Sequence, residues 1–122
     1  MKILIVDDEK SIQRLFLQRF RKLIKAKKLT LFFATTGLEA LNLLDTIGLS
    51  DLMILSDVNM PNMTGLELLK IIKEKYPCIA IYMLTAYSDE KNRQQATQLG
   101  ADGYLTKPID FKTLREQLNI PT

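Results

Sequence analysis

The sequence predicts an α/β fold: a parallel sheet with helices on both faces. Two observations carry this. Five short apolar runs, at residues 3–6, 29–34, 52–55, 79–84 and 104–105, each give way to a stretch with helical spacing. The runs are close to continuous rather than alternating, as strands buried on both faces are. Strand and helix following one another five times imply right-handed crossovers and a parallel sheet. No repeat, linker or low-complexity segment breaks this order, so residues 1–122 are expected to form one domain.

The first run ends at Asp7, Asp8 and Glu9. From Ser11 the period changes: Ile12, Leu15, Phe16, Phe20 and Leu23 would form one buried stripe, with Leu17 and Ile24 at its flank. Gln13, Arg14, Gln18 and Arg21 are left toward solvent or a partner, and docking of a partner there is expected to involve Arg14 and Leu17. The second run is interrupted by Thr30. Thr36 and Glu39 have capping-box spacing, a Thr oxygen for the third helical N–H and a Glu reaching back. Ala40, Leu41 and Leu44 line that helix and Gly48 marks its exit.

The third run closes at Ser56 and Asp57, followed by the turn and breaker residues Asn59, Pro61 and Gly65. Thr64 and Glu67 form a second box ahead of Leu68, Leu69 and Ile72, and Pro77 stops that helix. The fourth run ends at Thr85. Ser88 offers a cap oxygen, with Asp89 and Glu90 where the helix dipole favours acids, and Gly100 closes the helix. Tyr104 and Leu105 make a short fifth strand before Thr106, Lys107 and Pro108. Asp110 caps the last helix, Ile109 and Leu114 hold the staple positions, and Leu118 continues its apolar side.

Composition narrows the function. A chain of 122 residues buries roughly two thirds of its unfolded surface, enough for a true core. No apolar run approaches the roughly 20 residues of a membrane span. The first strand starts too near Met1 for a signal peptide, so a cytoplasmic location without a membrane partner is expected. The lone Cys78 cannot close an internal disulfide and is read as a small core residue, as are Met53, Met60, Met63 and Met83 as packing. With no His in the chain, a thiol lacks its activating base, and His-triad hydrolases and most zinc sites drop out. The net charge of +3 invites a nucleic-acid reading. Seven of the 17 basic residues, however, fall at positions 14–28, toward the end of one helix where cations suit the dipole. No recognition helix or stacking platform accompanies them, so a solvated basic face is expected, without direct nucleic-acid binding.

In a parallel sheet the carboxyl ends of the strands share one rim, where ligands bind. That rim would collect Asp7 and Asp8, Asp57, Thr85 and Lys107 from four different strands. Three neighbouring carboxylates repel unless a cation intervenes, and Lys107 alone leaves a formal excess of negative charge. Mg2+ would balance it and takes the oxygen ligands on offer. Such a set suits phosphoryl transfer: a carboxylate attacks, a metal and an ammonium hold oxygens, and a hydroxyl donates to another.

These residues sit in the pieces ILIVDDE, TGLEAL, DLMILSDVNMPNMTGLELL, YMLTA and GADGYLTKPI. Through them the chain resembles, over its full length, the receiver domain of two-component response regulators. The resemblance implies a flavodoxin-like (βα)5 fold with strand order 2-1-3-4-5. It implies that Asp57 is the phosphoacceptor, taking a phosphoryl group from a sensor histidine kinase or phosphotransfer protein. It further implies Mg2+ held by Asp8 directly, Asp7 chiefly through water, Asp57, and the backbone carbonyl of Asn59. Lys107 would pair with the phosphoryl oxygens, Thr85 would hydrogen-bond one and move toward it, and Ala86 would leave room. Pro108 resembles the cis-proline position and Tyr104 the switch aromatic. Output would pass to a downstream protein or effector domain through the fourth helix, fifth strand and last helix, around residues 88–100, Tyr104 and the Asp110 helix.

Departures from the commonest pattern are Thr64 and Thr36, which keep a capping oxygen, and Ser56 ahead of Asp57. Asn59 and Tyr87 occupy positions that tune dephosphorylation in the family. Two other functional classes fit the residues less well. A phosphorylation-independent, degenerate receiver is disfavoured because all five site residues are present. An aspartate-nucleophile phosphohydrolase is faintly suggested by Asp57-Val58-Asn59, but the second position lacks the general acid and no cap domain is present. The chain is therefore expected to be a phosphoacceptor rather than an enzyme.

Overall fold

The computed structural model describes residues 1–60, 62–86 and 89–121. Its elements are β1 (Lys2–Val6), α1 (Lys10–Arg19), α2 (Arg21–Lys25), β2 (Thr30–Ala34), α3 (Gly37–Ile47), β3 (Leu52–Asp57), α4 (Gly65–Lys75), β4 (Ala80–Ala86), α5 (Glu90–Gln98), β5 (Gly103–Lys107) and α6 (Phe111–Leu118). The five strands form one parallel sheet in the order β2-β1-β3-β4-β5. This is the flavodoxin-like arrangement that the resemblance implied.

The strands carry apolar residues at every position because each face has its own core. In β1, Ile3 and Ile5 point to one side and Leu4 and Val6 to the other. Ile3, Ile5, Leu55, Leu84 and Leu105 pack with Phe16, Phe20, Leu114 and Leu118 under α1, α2 and α6. Leu4, Val6, Ile54, Ile81 and Met83 pack with Leu44, Leu68, Ile72 and Ala96 under α3, α4 and α5. The four internal methionines are packing residues: Met60 and Met83 are buried, and Met53 and Met63 lean against the two cores.

Both expected Thr caps are present, but at α3 the Glu39 carboxylate accepts from the Thr35 hydroxyl instead of reaching back to the Thr36 N–H, so the box is only half formed. Thr36 Oγ1 accepts the Glu39 N–H at 3.1 Å. At α4 the box is reciprocal, with Thr64 Oγ1 accepting from Glu67 N–H at 3.2 Å and Glu67 Oε1 accepting from Thr64 N–H at 3.4 Å. Asp110 caps α6 through the Lys112 N–H. Asp89 caps α5; the expected cap oxygen of Ser88 lies outside the described residues, as do Pro61 and Tyr87.

Three further expectations are corrected. The first helix is broken at Phe20, whose φ and ψ are −106° and 16°, giving six helices among the described residues rather than five. The bend falls where the Phe16, Phe20 and Phe111 rings meet, with centroids 5.3–5.9 Å apart. Leu15 is not part of the buried stripe but is 40% exposed; it lines a cavity of about 550 Å3 beside Ile12, Ile109 and Phe111. The buried set at 12, 16, 20 and 23 is a narrower seam, which the bend keeps facing the sheet. Cys78 is exposed, not buried: it lies between the end of α4 and the start of β4, one residue before the apolar run sinks at Ile79. Strand bounds also shift: β3, β4 and β5 run two residues further at their carboxyl ends, β2 and β4 start one residue later, and β5 spans five residues rather than two. Among the described residues no helix is long and apolar enough to cross a membrane.

Candidate functional site

Parallel pairing brings the strand ends to one rim. Val6 is level with Ser56, Asp57 with Leu84, Thr85 with Thr106, and Ala86 with Lys107. Asp7 follows directly on β1, and its N–H still bonds the Ala34 carbonyl at 3.0 Å. Its Oδ1 accepts the Glu9 N–H at 2.9 Å. That turn ends the strand and leaves Asp8 exposed at the mouth of the site.

Asp57 is the last residue of β3 and only 7% exposed. Its Oδ1 accepts the Asn59 N–H at 3.3 Å. Ser56, fully buried, donates its hydroxyl to the Asp57 backbone carbonyl at 3.1 Å. The loop after Asp57 folds back so tightly that Gly65 N–H bonds the Val58 carbonyl at 2.8 Å. A Cβ on Gly65 would overlap the Asp57 carbonyl oxygen, so the position admits only glycine without rearrangement.

Lys107, from the far edge of β5, reaches across the rim. Its Nζ is 3.0 Å from Asp7 Oδ2, 3.3 Å from Asp57 Oδ2 and 3.4 Å from Glu9 Oε1. The peptide bond that follows, Lys107–Pro108, is cis. One carboxylate oxygen from each of Asp7, Asp8 and Asp57 lies within 4.8 Å of the others. All of the predicted polar side chains therefore stand on one rim. Asn59 follows Asp57 by two residues, with its side chain exposed.

The electrostatics follow from burial. Removal from water raises the Asp57 pKa above the ordinary carboxylate value; Lys107 opposes this and Asp7 adds to it. Burial works against the Lys107 charge, but contact with Asp7 and the charges of Asp57 and Asp7 outweigh it, so its pKa is raised. Thr85 is 1% exposed, and its hydroxyl has no hydrogen-bond partner among the described residues. A buried hydroxyl left unpaired costs free energy unless something else meets it. Oxygen-only donors, mutually repelling acids and a spare hydroxyl together fit a hard divalent cation with an oxyanion beside it.

Tyr104 is half-buried in β5 on the side of α5. Arg93 of α5 lays its guanidinium 4.1 Å from the ring centroid. The two line a cavity of about 350 Å3 with Asp110 and Thr113. Neither the Arg93 stack nor the Glu9–Lys107 contact is legible in the sequence. Each joins side chains on different elements, and no local spacing announces them.

The family description that matches is "Response regulator receiver domain", over residues 3–119. The transcriptional regulatory protein CpxR of Escherichia coli K12 is 36% identical over 113 residues, covering 93% of this chain and 45% of CpxR. The DNA-binding transcriptional regulator NtrC of Proteus hauseri is 51% identical over 59 residues, covering 48% of this chain and 12% of NtrC. The chain thus spans less than half the length of either curated relative. Among solved structures, the Vibrio cholerae chemotaxis protein CheY4 superposes with a TM-score of 0.80 at 32% identity, over 97% of this chain and 95% of that one. The receiver domain of Saccharomyces cerevisiae Ssk1, solved with the histidine phosphotransfer protein Ypd1, gives 0.83 at 26% identity, over 98% of this chain and 86% of that one. With this sheet order and this match across nearly its whole length, the chain belongs to the receiver domains of two-component response regulators.

Proposed function

We propose that the chain is a phosphorylation-driven switch whose acceptor is Asp57. The observation that carries this is the Lys107 ammonium set between the Asp7 and Asp57 carboxylates, on the rim where the buried Thr85 hydroxyl has no partner among the described residues. An Asp57 oxygen attacks phosphorus in a phosphohistidine. The new P–O bond forms as the P–N bond breaks, and the electron pair leaves with the imidazole nitrogen. Lys107 offsets charge on the transferred oxygens, and Thr85 donates to one of them. Asp7, Asp8, Asp57 and the Asn59 carbonyl are the groups that would hold Mg2+, which when bound supplies the remaining neutralising charge. The same residues make the chain a phosphoacceptor, not an enzyme acting on a separate substrate.

The donor is a sensor histidine kinase or a phosphotransfer protein; the Ssk1 receiver crystallised with such a protein supports that class of partner. The switch itself is a shift between two pre-existing states: Thr85 moves toward the phosphoryl group and Tyr104 turns inward behind it. Output leaves through α5, β5 and α6 to a downstream protein or effector domain, without direct nucleic-acid contact by this unit. This reading assigns the chain to the cytoplasm. The test is Mg2+-dependent labelling by acetyl phosphate. Wild type should label and Asp57→Asn should not; equal labelling of the variant would move the acceptor elsewhere.

A further inference from the structure

The second feature of the molecule is its charge asymmetry. Residues 10–38 hold eight cations and no acid, whereas the rest of the chain has nine cations against fourteen acids. The fold gathers four of these eight cations with one from α6. A groove of about 650 Å3 between the end of α1, α2 and α6 is lined by Arg19, Arg21, Lys22, Lys28 and Arg115, over an apolar floor that includes Leu23. Among the described residues none of these five cations is in an ion pair. A helix C-terminus offers only about half a negative charge, too little to balance five.

Two of the cations are held in place. Arg19 stacks 5.1 Å from the Phe111 centroid and Arg115 5.2 Å from that of Phe20. Arg115 also donates to the Arg19 carbonyl at 3.4 Å. Stacked guanidinium groups lose little freedom on binding and match carboxylates with two parallel hydrogen bonds. α1 leads away from Glu9 for ten residues, so the groove begins roughly 15 Å from the acidic rim. It is separate from the phosphoryl site.

We propose that this groove binds an acidic peptide segment of a partner protein. A nucleic acid is less well served: the Phe20 and Phe111 rings are covered by guanidinium groups and offer no platform for bases. A flat anionic membrane is less well served too, since the cations line a concavity.

The test uses a fluorescein-labelled octaglutamate peptide, followed by anisotropy and by amide NMR shifts on the whole chain at physiological salt. Binding should shift resonances of Arg19, Lys22, Lys28 and Arg115 first. Arg21→Glu with Lys22→Glu should weaken it at least about tenfold. Lys25→Glu with Lys27→Glu makes the same charge change outside the groove and should weaken it far less. Equal loss in both pairs, shifts spread over Lys70, Lys75 and Lys91, or no binding would overturn the proposal. So would tighter binding of a duplex DNA or of phosphatidylserine vesicles than of the peptide. Labelling of Asp57 by acetyl phosphate should be the same in both pairs, so failure here leaves the switch reading intact.

Discussion

The guanidinium of Arg93 lies 4.1 Å from the centre of the Tyr104 ring and closes one side of the cavity beneath it. The contact ties α5 to β5 on the face proposed for output. Arg93→Ala should cost about 0.5–1 kcal/mol, as expected for a partly exposed cation over a ring. It should also broaden or shift the Tyr104 ring resonances. Thermal melts and aromatic NMR check both, and unchanged ring signals would remove Arg93 from the positioning of Tyr104.

Asp57 makes the protein sensitive to pH in a definite direction. Burial holds its pKa above the ordinary value, so the folded chain binds this proton more tightly than the unfolded chain. That stabilisation is complete below the unfolded value of about 3.9 and is lost as pH rises through the folded one. Without divalent ions, Asp57→Asn should therefore be more stable than wild type at neutral pH, with the advantage vanishing at acid pH. Mg2+ should reverse the order, adding about 2.7 kcal/mol to wild type at a hundred times its dissociation constant and much less to the variant. Urea melts with and without chelator give the comparison.

Lys107 is the only cation in contact with Asp7 and Asp57 among the described residues. Lys107→Met leaves the two acids facing each other. Losing one partner of a buried pair costs roughly 3–5 kcal/mol. The Lys107 side chain is a quarter exposed, so water screens part of this and about 1–3 kcal/mol is expected. Mg2+ should then stabilise the variant more than it stabilises wild type. Calorimetry at several Mg2+ concentrations tests this.

Gly65 meets the backbone of Asp57 and Val58 closely enough that a methyl group has no room. Gly65→Ala should destabilise by about 1–3 kcal/mol or more through overpacking. Because the displaced atoms belong to Asp57, Mg2+ affinity should fall as well. Thr64→Ala, one residue earlier, removes only the capping oxygen, about 1 kcal/mol, and should leave Mg2+ affinity unchanged.

What the sequence made legible was whatever is local. Continuous apolar runs mark strands buried on both sides, and Thr36–Glu39 and Thr64–Glu67 mark helix starts, because strand pleat and capping need only near neighbours. Rim residues were legible because each ends an apolar run. The failures are all tertiary. Helical periodicity cannot distinguish Leu15, at the edge of the seam with α6, from Phe16 at its centre. It cannot see that three phenylalanine rings meet where the helix bends at Phe20. Cys78 resembles the apolar run that follows it, yet the chain has not turned inward until Ile79. The reach of Lys107 to Glu9 depends on strand order, and the stack of Arg93 on Tyr104 on how α5 lies over β5; no stretch of sequence encodes either by itself.

The most direct measurement of the acceptor is intact-mass spectrometry with peptide mapping after exposure to acetyl phosphate and Mg2+. One phosphoryl group per chain, on the peptide containing Asp57 and removed by hydroxylamine as an acyl phosphate, is the result predicted here. Phosphate on any other residue, or undiminished labelling in the presence of chelator, would contradict it.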